Sequence, residues 1–294
     1  MSKYQHPMKI FQTGVPWMIG AILSFVLMAT AARELSSELN AIQILFWRSL
    51  TAALLMPILL SFFGWHHIKS KRPRLQVLRG GIHFVAQYGW FFGITMIPLA
   101  HVFALEFTAP VWTVIFASIF LSERLSLGRL LSVGAGFIGV LIVLRPGLQT
   151  IEPAAVIVLG SAALYAITYV MVKTLTKTDS PLCIMFFMSL VQLILAFLAA
   201  TFDWAVPSMD LWPWIILVGV SGLSAHYCMA QALSKSDAAT VMPIDFFRLP
   251  IIMVVGSWLY SEGVDPWVFV GAFIIFAGNY SNLRYELNTG RGTR

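Results

Sequence analysis

The stretch AHVFALEFTAPVWTVIFASIFLSERL, residues 100–125, occurs a second time in altered form as ATVMPIDFFRLPIIMVVGSWLYSEGV, residues 239–264. When the chain is shifted by 139 residues, Glu106 falls on Asp245, and a short Ser-Glu turn closes both copies. The positions with identical residues in the second copy, up to the end of the next apolar segment, are Ala100, Val102, Phe107, Ser118, Ser122, Glu123, Phe137, Gly139 and Arg145. Because a fixed offset indicates duplicated structural units, the chain is predicted to contain two related halves.

The composition indicates an integral membrane protein. Of the 294 residues, 59% are hydrophobic and only 11% are charged, and the mean hydropathy is +0.81. A soluble domain carries about 25% charged residues, so a chain this apolar lacks the polar surface that water requires. The net charge of +6 comes without a basic run interleaved with aromatic residues, and nucleic acid is therefore not an expected partner.

Ten apolar segments are predicted to cross the bilayer, since a spanning helix needs roughly 20 residues. They cover residues 14–32, 41–63, 77–97, 99–121, 127–145, 153–173, 182–201, 211–231, 237–260 and 266–284. Each half holds an odd number of segments, so the two halves enter the membrane from opposite sides. The predicted fold is an all-α integral membrane protein with ten transmembrane helices in two inverted five-helix repeats, an arrangement typical of secondary transporters. The predicted domains are a first repeat at 12–147, a second at 150–287 and a short cytoplasmic tail at 288–294.

The distribution of lysine and arginine predicts the orientation. With a cytoplasmic N-terminus, fifteen of these residues fall on the inner side, several of them in a 64–79 loop that includes Arg79. The outer side then holds only Arg33 and Arg145, and the remaining two basic residues lie within spans. Both termini are therefore expected in the cytoplasm.

Away from their ends, the predicted spans carry the ionisable side chains Arg48, His83, Glu106, His226, Asp245 and Arg248. Each charge costs at least roughly 2.5–3.5 kcal/mol at a helix centre, so such residues usually face a cavity or one another. By depth Arg48 can reach Glu106, and Arg248 lies one turn from Asp245 on the same helix face. The two pairs are interpreted either as structural ion pairs or as parts of a central solute site, and one pair can serve both roles.

The predicted substrate-binding set adds polar and aromatic neighbours to these charges. It consists of Arg48, His83, Gln87, Tyr88, Trp90, Glu106, Tyr165, His226, Asp245, Phe246 and Arg248. The aromatic members either stack on a solute or serve in ordinary packing. Glu106 and Asp245 are also candidates for carrying a coupled proton, because a buried acid can load and release one. Exchange or facilitated diffusion fits the sequence equally well.

Three prolines lie close to the two acids. Pro110 follows Glu106 by four residues, Pro250 follows Asp245 by five, and Pro243 precedes Asp245 by two. A proline inside a helix frees a carbonyl one turn earlier. At membrane depth such a backbone is tolerated only beside a protein partner or a water-lined cavity. The pattern predicts a bent, cavity-lining helix in each half.

Motifs of several other function classes are missing from the sequence. It contains no GxxxxGK[ST] phosphate-binding loop, no HExxH, no GxSxG, and no His or Cys residues at metal-ligand spacing. The chain is therefore expected to use no cofactor or metal, to have no catalytic residues and not to be an enzyme. The energy for transport would come from a solute or ion gradient.

The stretch FLSERLSLGRLLSVGAGFIGVLIVLRPG, residues 120–147, resembles the end of an EamA domain of the drug/metabolite transporter superfamily. The segment ILFWRS, residues 44–49, resembles the pattern of that family's second span, and a weaker copy of the first motif covers 260–284. The resemblance implies a ten-helix carrier of small organic solutes, often an exporter. It also implies a central cavity lined by spans 1–4 and 6–9, with spans 5 and 10 at the periphery.

The leading hypothesis is a secondary transporter in the inner membrane of a bacterium, multi-pass and working by alternating access. It would export or exchange an amino-acid-like or drug-like solute. One alternative is an importer of a vitamin or nucleoside-like metabolite, of the riboflavin or S-adenosylmethionine type. A channel or non-transporting membrane component and a membrane enzyme are the alternatives from other classes. The expected partners are the small-molecule solute and membrane lipid, with a monomer as the default and a dimer possible.

Overall fold

The computed structural model describes residues 14–120, 127–147, 150–236 and 244–288, and all regular elements in these ranges are helical. The helices are α1 Val15–Leu35, α2 Ala41–Phe63, α3 Pro73–Met96, α4 Leu99–Glu106, α5 Ala109–Phe120, α6 Leu127–Leu144, α7 Pro153–Leu175, α8 Pro181–Ala200, α9 Trp212–Lys235, α10 Arg248–Tyr260 and α11 Pro266–Asn288. Each of the ten predicted segments overlaps at least one of these helices, so the all-helical fold class is confirmed for the described residues.

Local sequence signals explain where several helices begin. The Asn40 side chain accepts a hydrogen bond from the Gln43 backbone N–H, and the Gln43 side chain accepts one from Asn40, which forms a capping box at α2. The Ser180 side chain accepts the backbone N–H of Cys183 at the start of α8. Proline occupies the first turn of α1, α3, α7, α8 and α9, where no backbone donor is needed.

Six helices or helix pairs are long and apolar enough to cross a membrane. They lie within Val15–Leu35, Ala41–Phe63, Leu99–Phe116, Pro153–Val172, Pro181–Ala200 and Met209–Leu233. Two shorter apolar helices, Gly128–Leu144 and Arg248–Tyr260, accompany them in the described part of the chain. The chain is therefore a multi-pass membrane protein by length and composition.

Both acid-bearing segments are interrupted at equivalent positions. In the first half a turn at residues 107–108 separates α4 from α5, and in the second half a turn at 246–247 precedes α10. The offset between the two turns is the same 139 residues that relates the sequence repeats. Glu106 and Asp245 therefore each occupy the last helical position before a break.

The helix pairing is symmetric between the two halves. Helix α1 packs extensively on α9, and α3 packs on α7, a pair that the repeat relates to the first. The pairs α2 with α8, α4 with α10, and α6 with α11 each join repeat-equivalent helices. The two halves are thus interleaved around a common approximate two-fold axis.

Helices α6 and α11 meet along small residues. A Cβ added to Gly139 would lie 2.5 Å from the Gly271 carbonyl oxygen, and one added to Gly271 would lie 2.6 Å from the Gly139 carbonyl oxygen. Gly278 lies against Ser132 and Ala135 in the same interface. The close approach is typical of small-residue helix packing in membranes. These two helices pair with each other.

The loop predicted at residues 64–79 is shorter in the structure. A 3-10 turn covers Trp65–Ile68, and α3 already begins at Pro73. Arg79 therefore lies in the second turn of α3, where only 6% of its surface is exposed. Its assignment to a loop was wrong, because α3 begins six residues before it. The cytoplasmic side of this end stays a prediction.

One end of the bundle, here called the Arg33 end, is held by contacts between the halves. The Arg33 Nη2 atom lies 3.0 Å from Oε1 of Glu262, whose Oε2 atom accepts the Leu99 backbone N–H at 2.9 Å. The Tyr260 hydroxyl donates to the Glu34 carboxylate at 2.9 Å. The turn between α10 and α11 is thereby fixed to α1 and to the start of α4.

The opposite end, here called the Asp179 end, also joins the halves. The Asp179 carboxylate accepts hydrogen bonds from the Ser70 hydroxyl, from the Gln76 side chain at 2.9 Å and from the Lys71 backbone N–H at 3.0 Å. Burial acts to raise the pKa of Asp179, but these hydrogen bonds outweigh it and hold the pKa below its usual value. The α2–α3 connection is thereby fixed to the α7–α8 connection.

Candidate functional site

Three charged side chains meet at the two helix breaks. Arg248, on the first turn of α10, places Nη1 3.3 Å from Oε1 of Glu106 and Nη2 3.3 Å from Oδ2 of Asp245. The other Glu106 oxygen, Oε2, accepts the indole N–H of Trp90 at 2.8 Å. One arginine thus bridges the acids that the repeat relates to each other. Removal of one member of this set would leave an uncompensated buried charge, which is strongly destabilising.

Aromatic rings surround the Arg248 guanidinium. Its central carbon lies 4.6 Å from the ring centroid of Phe25 and 5.1 Å from those of Phe103 and Phe107. Ring faces attract a cation electrostatically, and more strongly where water is excluded. Phe25 belongs to α1 and the other two rings to the α4 segment, so Arg248 of the second half is surrounded by rings of the first half.

A second polar cluster surrounds Arg48, which is buried on α2. Its Nη1 atom donates to Gln192 Oε1 at 3.1 Å, and the Gln192 amide donates to Gln87 Oε1 at 2.7 Å. The same amide nitrogen lies 3.2 Å from Nδ1 of His83, which therefore accepts. Helices α2, α3 and α8 supply these groups, so this cluster also spans the two halves.

The two clusters are joined through His226 on α9. Its ring lies 5.6 Å from that of His83 and 5.8 Å from that of Phe25, measured between centroids. The His83 ring also contacts Tyr165 at 5.3 Å, and Phe25 in turn lies over Arg248. A continuous chain of polar and aromatic groups therefore runs through the interior from Arg48 to Asp245.

The predicted ion pairs are only half correct. Asp245 and Arg248 are paired in the structure. The pairing of Arg48 with Glu106 was wrong, since Glu106 bonds to Arg248 and Arg48 bonds to Gln192. The sequence gives the depth of each residue in the membrane, but the contacts of a side chain also depend on the rotation of its helix about the helix axis.

The aromatic residues of the predicted set separate into two groups. Trp90 and Tyr165 contact the polar chain. The ring contact found for Tyr88 is with Phe92 on its own helix, at 6.2 Å. Phe246 packs against α11, with its ring 4.6 Å from that of Phe276. Whether any of these rings binds solute stays a prediction.

The backbone break beside Glu106 has a polar partner. The Asn279 side chain, on α11, donates to the Phe107 carbonyl at 3.3 Å and accepts the Ser132 hydroxyl at 3.1 Å. Pro110 lies in the first turn after this break, and Pro250 lies in the corresponding turn of α10. Pro243 lies outside the described residues. Freed carbonyls at membrane depth require such partners.

Three residues of this interior were not singled out from the sequence. Gln192 contacts both Arg48 and the α3 side chains, Phe25 links His226 to Arg248, and Arg79 is buried. Gln192 could have been identified from the sequence, because it is a polar amide within an otherwise apolar run. Arg79 lies four residues before His83, a spacing that places both on one helix face.

Several buried polar atoms on this chain have no hydrogen-bond partner among the described residues. They include Nε of Arg48, Nε of Arg248, Oδ1 of Asp245 and Nε2 of His226. Groups of this kind cost free energy unless a ligand or water completes them. Within the described ranges no cluster of three or more His, Cys, Asp or Glu side chains is arranged to hold a metal. The chemistry available is that of binding an ionic or polar solute.

Comparison with known proteins identifies relatives over nearly the whole chain. The model of the EamA-like transporter family matches residues 12–145 and again 152–283. An S-adenosylmethionine uptake transporter of Rickettsia conorii is 24% identical over 91% of both chains. A riboflavin transporter of Brucella anthropi is 28% identical over 84% of this chain and 89% of the relative, and one of Vibrio cholerae is 27% identical over 100% and 99%.

A solved structure supports the same architecture. A protein known from its crystal structure superposes with a TM-score of 0.67 over 96% of this chain and 99% of its own. The two sequences are 14% identical, so this likeness concerns the fold alone.

Proposed function

Because the chain belongs to the EamA-like transporter family, whose model matches it twice, we propose that it is a secondary transporter of a small organic metabolite. It would work without ATP in the inner membrane of a bacterium. Ten spans would form two inverted repeats, residues 12–147 and 150–287, with both termini in the cytoplasm. Inverted repeats are the usual architecture of carriers that alternate access to a central site.

The observation that carries the proposal is the chain of buried polar groups between the halves. Arg48, Gln192, His83 and Arg248 are each at least 97% buried and draw their partners from both halves. Polar groups are costly in such an interior and usually mark a solute pathway. A site shared by two halves is suited to alternating access, since either half can move relative to it.

The two ends of the bundle supply the contacts that such a cycle must break. The proposed orientation makes the Arg33–Glu262 contact outer and the Asp179 contact inner. Opening either end alone exposes the central site to one side. Glu106 and Asp245 remain candidates for proton coupling, and exchange without a coupled ion remains the alternative.

Two directions of transport are considered. One is export or exchange, and the other is import. The named relatives support the import alternative, because they are uptake transporters of S-adenosylmethionine and transporters of riboflavin. Both solutes are cofactor-like metabolites with a planar heterocycle. We propose a solute of that size for this chain, and a monomer as the transporting unit.

Radiolabel counterflow in proteoliposomes tests the function. Vesicles containing the purified protein would be loaded in turn with amino acids, nucleosides, vitamins, polyamines and S-adenosylmethionine. Vesicles loaded with one of these pools are expected to take up the labelled solute of that pool with saturable kinetics. This uptake is expected to be lost in Asp245→Asn or Glu106→Gln. The exposed carboxylate variant Asp210→Asn serves as the matched control.

Conduction that does not saturate would instead identify a channel. Correctly folded protein that shows neither counterflow nor conductance with any pool would contradict the transporter proposal.

A further inference from the structure

Arg79 is a buried cation that forms no ion pair with the other described residues. Only 6% of its surface is exposed, and neither Nε nor Nη1 has a hydrogen-bond partner among the described residues. A charge taken out of water costs several kcal/mol unless it is paired and hydrogen-bonded. A buried guanidinium without these partners is therefore suited to binding an anionic ligand.

Arg79 belongs to the same interior as the polar chain. It precedes His83 by four residues on α3, so both side chains lie on the face that also carries Gln87. Arg48 is linked to the same His83 through the Gln192 side chain, which accepts from Arg48 Nη1 and donates to His83 Nδ1. The His226 ring lies 5.6 Å from the His83 ring.

Arg48 is likewise without a carboxylate. It is 1% exposed, its Nη1 bonds to a neutral amide, and its Nε has no partner among the described residues. Gly222 makes room for it, since a Cβ there would lie 2.7 Å from the Arg48 Nε. The space beside Gly222 thus accommodates the Arg48 guanidinium, but the described residues around it supply no negative charge.

The balance of charge decides what the missing partner is. Glu106 and Asp245 both bond to Arg248 and leave Arg48 and Arg79 uncompensated. When these five described side chains are counted as ionised, three cations face two anions, and the set carries a net charge of one positive unit. A carboxylate group places one negative charge beside Arg48 and Arg79 and so offsets this excess locally, whatever other charges the solute carries. A phosphate monoester, at about −1.5 to −2, exceeds it.

We propose that Arg48 and Arg79 bind the carboxylate of the transported solute, beside His83 and His226. This inference rests on the proposed transport function and names its substrate class as a carboxylated metabolite. The planar guanidinium fork matches a carboxylate with two parallel hydrogen bonds. The paired acids at Arg248 form the other end of the same site.

Matched solute pairs test the proposal by binding to purified protein. One pair is S-adenosylmethionine and its decarboxylated form, which differ only in the carboxylate. The other pairs are amino acids and their amides. The carboxylated member of at least one pair is expected to raise the melting temperature and to bind about thirtyfold or more tightly than its partner. In Arg79→Gln this preference is expected to vanish.

The controls separate this inference from the transport function. Arg74→Gln removes an exposed arginine of the same helix and is expected to keep the wild-type preference. If Arg79→Gln does not fold, Arg79→Lys keeps the charge without the fork and is expected to bind the carboxylated probe about tenfold more weakly.

Equal binding of both members of every pair would overturn the carboxylate site, as would an unchanged preference in Arg79→Gln. So would the failure of every carboxylated probe to bind. Counterflow of a neutral solute under those conditions would leave the transport function standing, whereas the absence of counterflow with any pool would remove the function itself.

Discussion

The rings of Phe107 and Phe246, which occupy equivalent positions in the two repeats, contact each other with centroids 5.5 Å apart. Each ring belongs to the turn that interrupts its helix immediately after an acid, Glu106 or Asp245. The contact therefore lies where the approximate two-fold axis passes between α4 and α10. The two breaks support each other directly.

A double-mutant cycle measures that support. Because both rings are only partly buried, Phe107→Ala and Phe246→Ala are each expected to destabilise the protein by about 0.5–3 kcal/mol. Their coupling energy is expected to be about 0.5–1.5 kcal/mol, the range for aromatic pairs in contact. Reversible unfolding in mixed detergent micelles provides the measurement. Additive effects within about 0.3 kcal/mol would show that the rings do not interact.

The Asn279 amide is expected to stabilise the break between α4 and α5. Asn279→Leu keeps the size of the side chain but leaves the Phe107 carbonyl without its partner. Interhelical hydrogen bonds of this kind contribute about 0.6 kcal/mol on average and up to about 1.7 in membrane proteins. The loss should appear as a lower unfolding free energy in the same micelle assay. Ser281→Ala, at an exposed position of α11, is the control and should change nothing.

Gly222 tests the placement of Arg48. In Gly222→Ala the new methyl group would lie 2.7 Å from the Arg48 Nε, so the guanidinium must move away from Gln192. If loss of this hydrogen bond weakens the binding free energy by about 1.4 kcal/mol, the solute binds about tenfold more weakly. Counterflow affinity is the quantity to measure. Gly160→Ala introduces the same methyl group where no atom lies within 4 Å and should leave affinity unaltered.

Acid should weaken the Asp179 end. The pKa of Asp179 is lower in the folded protein than in the unfolded chain, so its contribution is complete above the unfolded pKa, about 3.9, and is lost as the pH falls through the folded value. Asp179→Asn should therefore lower the melting temperature at pH 7, and the difference from wild type should shrink below about pH 4. Asp210→Asn, which changes an exposed carboxylate, is the comparison. A gap that stays constant with pH would contradict the assignment.

The helices could be predicted because each apolar run is long and bounded by polar or proline residues. The prediction for 41–63 coincides with α2, and the predicted segment 153–173 lies within α7. The break near Glu106 also left a signal, since an acid and a proline one turn apart are unusual inside a membrane. Its position at 107–108 follows from the backbone rather than from hydropathy.

The partners within the site could not be predicted in the same way. Arg48 and Glu106 lie at similar depth, yet the rotation of α2 directs Arg48 to Gln192 on α8. Arg79 was missed because its charge was assigned to the loop at 64–79, whereas it lies in the second turn of α3 and is buried. Both errors concern contacts between helices, which depend on packing across the whole bundle.

The interleaving of the two halves has a consequence for synthesis. The Gly14 backbone N–H donates to the Ser236 hydroxyl across 222 positions of sequence. At about 5–20 residues per second, the ribosome needs roughly 10–40 s to supply that partner. Arg48 likewise lacks its hydrogen-bond partner Gln192 until a further 144 residues have been synthesised. The first five segments must therefore persist in the translocon or in lipid as an incomplete assembly, and a chain truncated after the first repeat should be a substrate for membrane quality-control proteases.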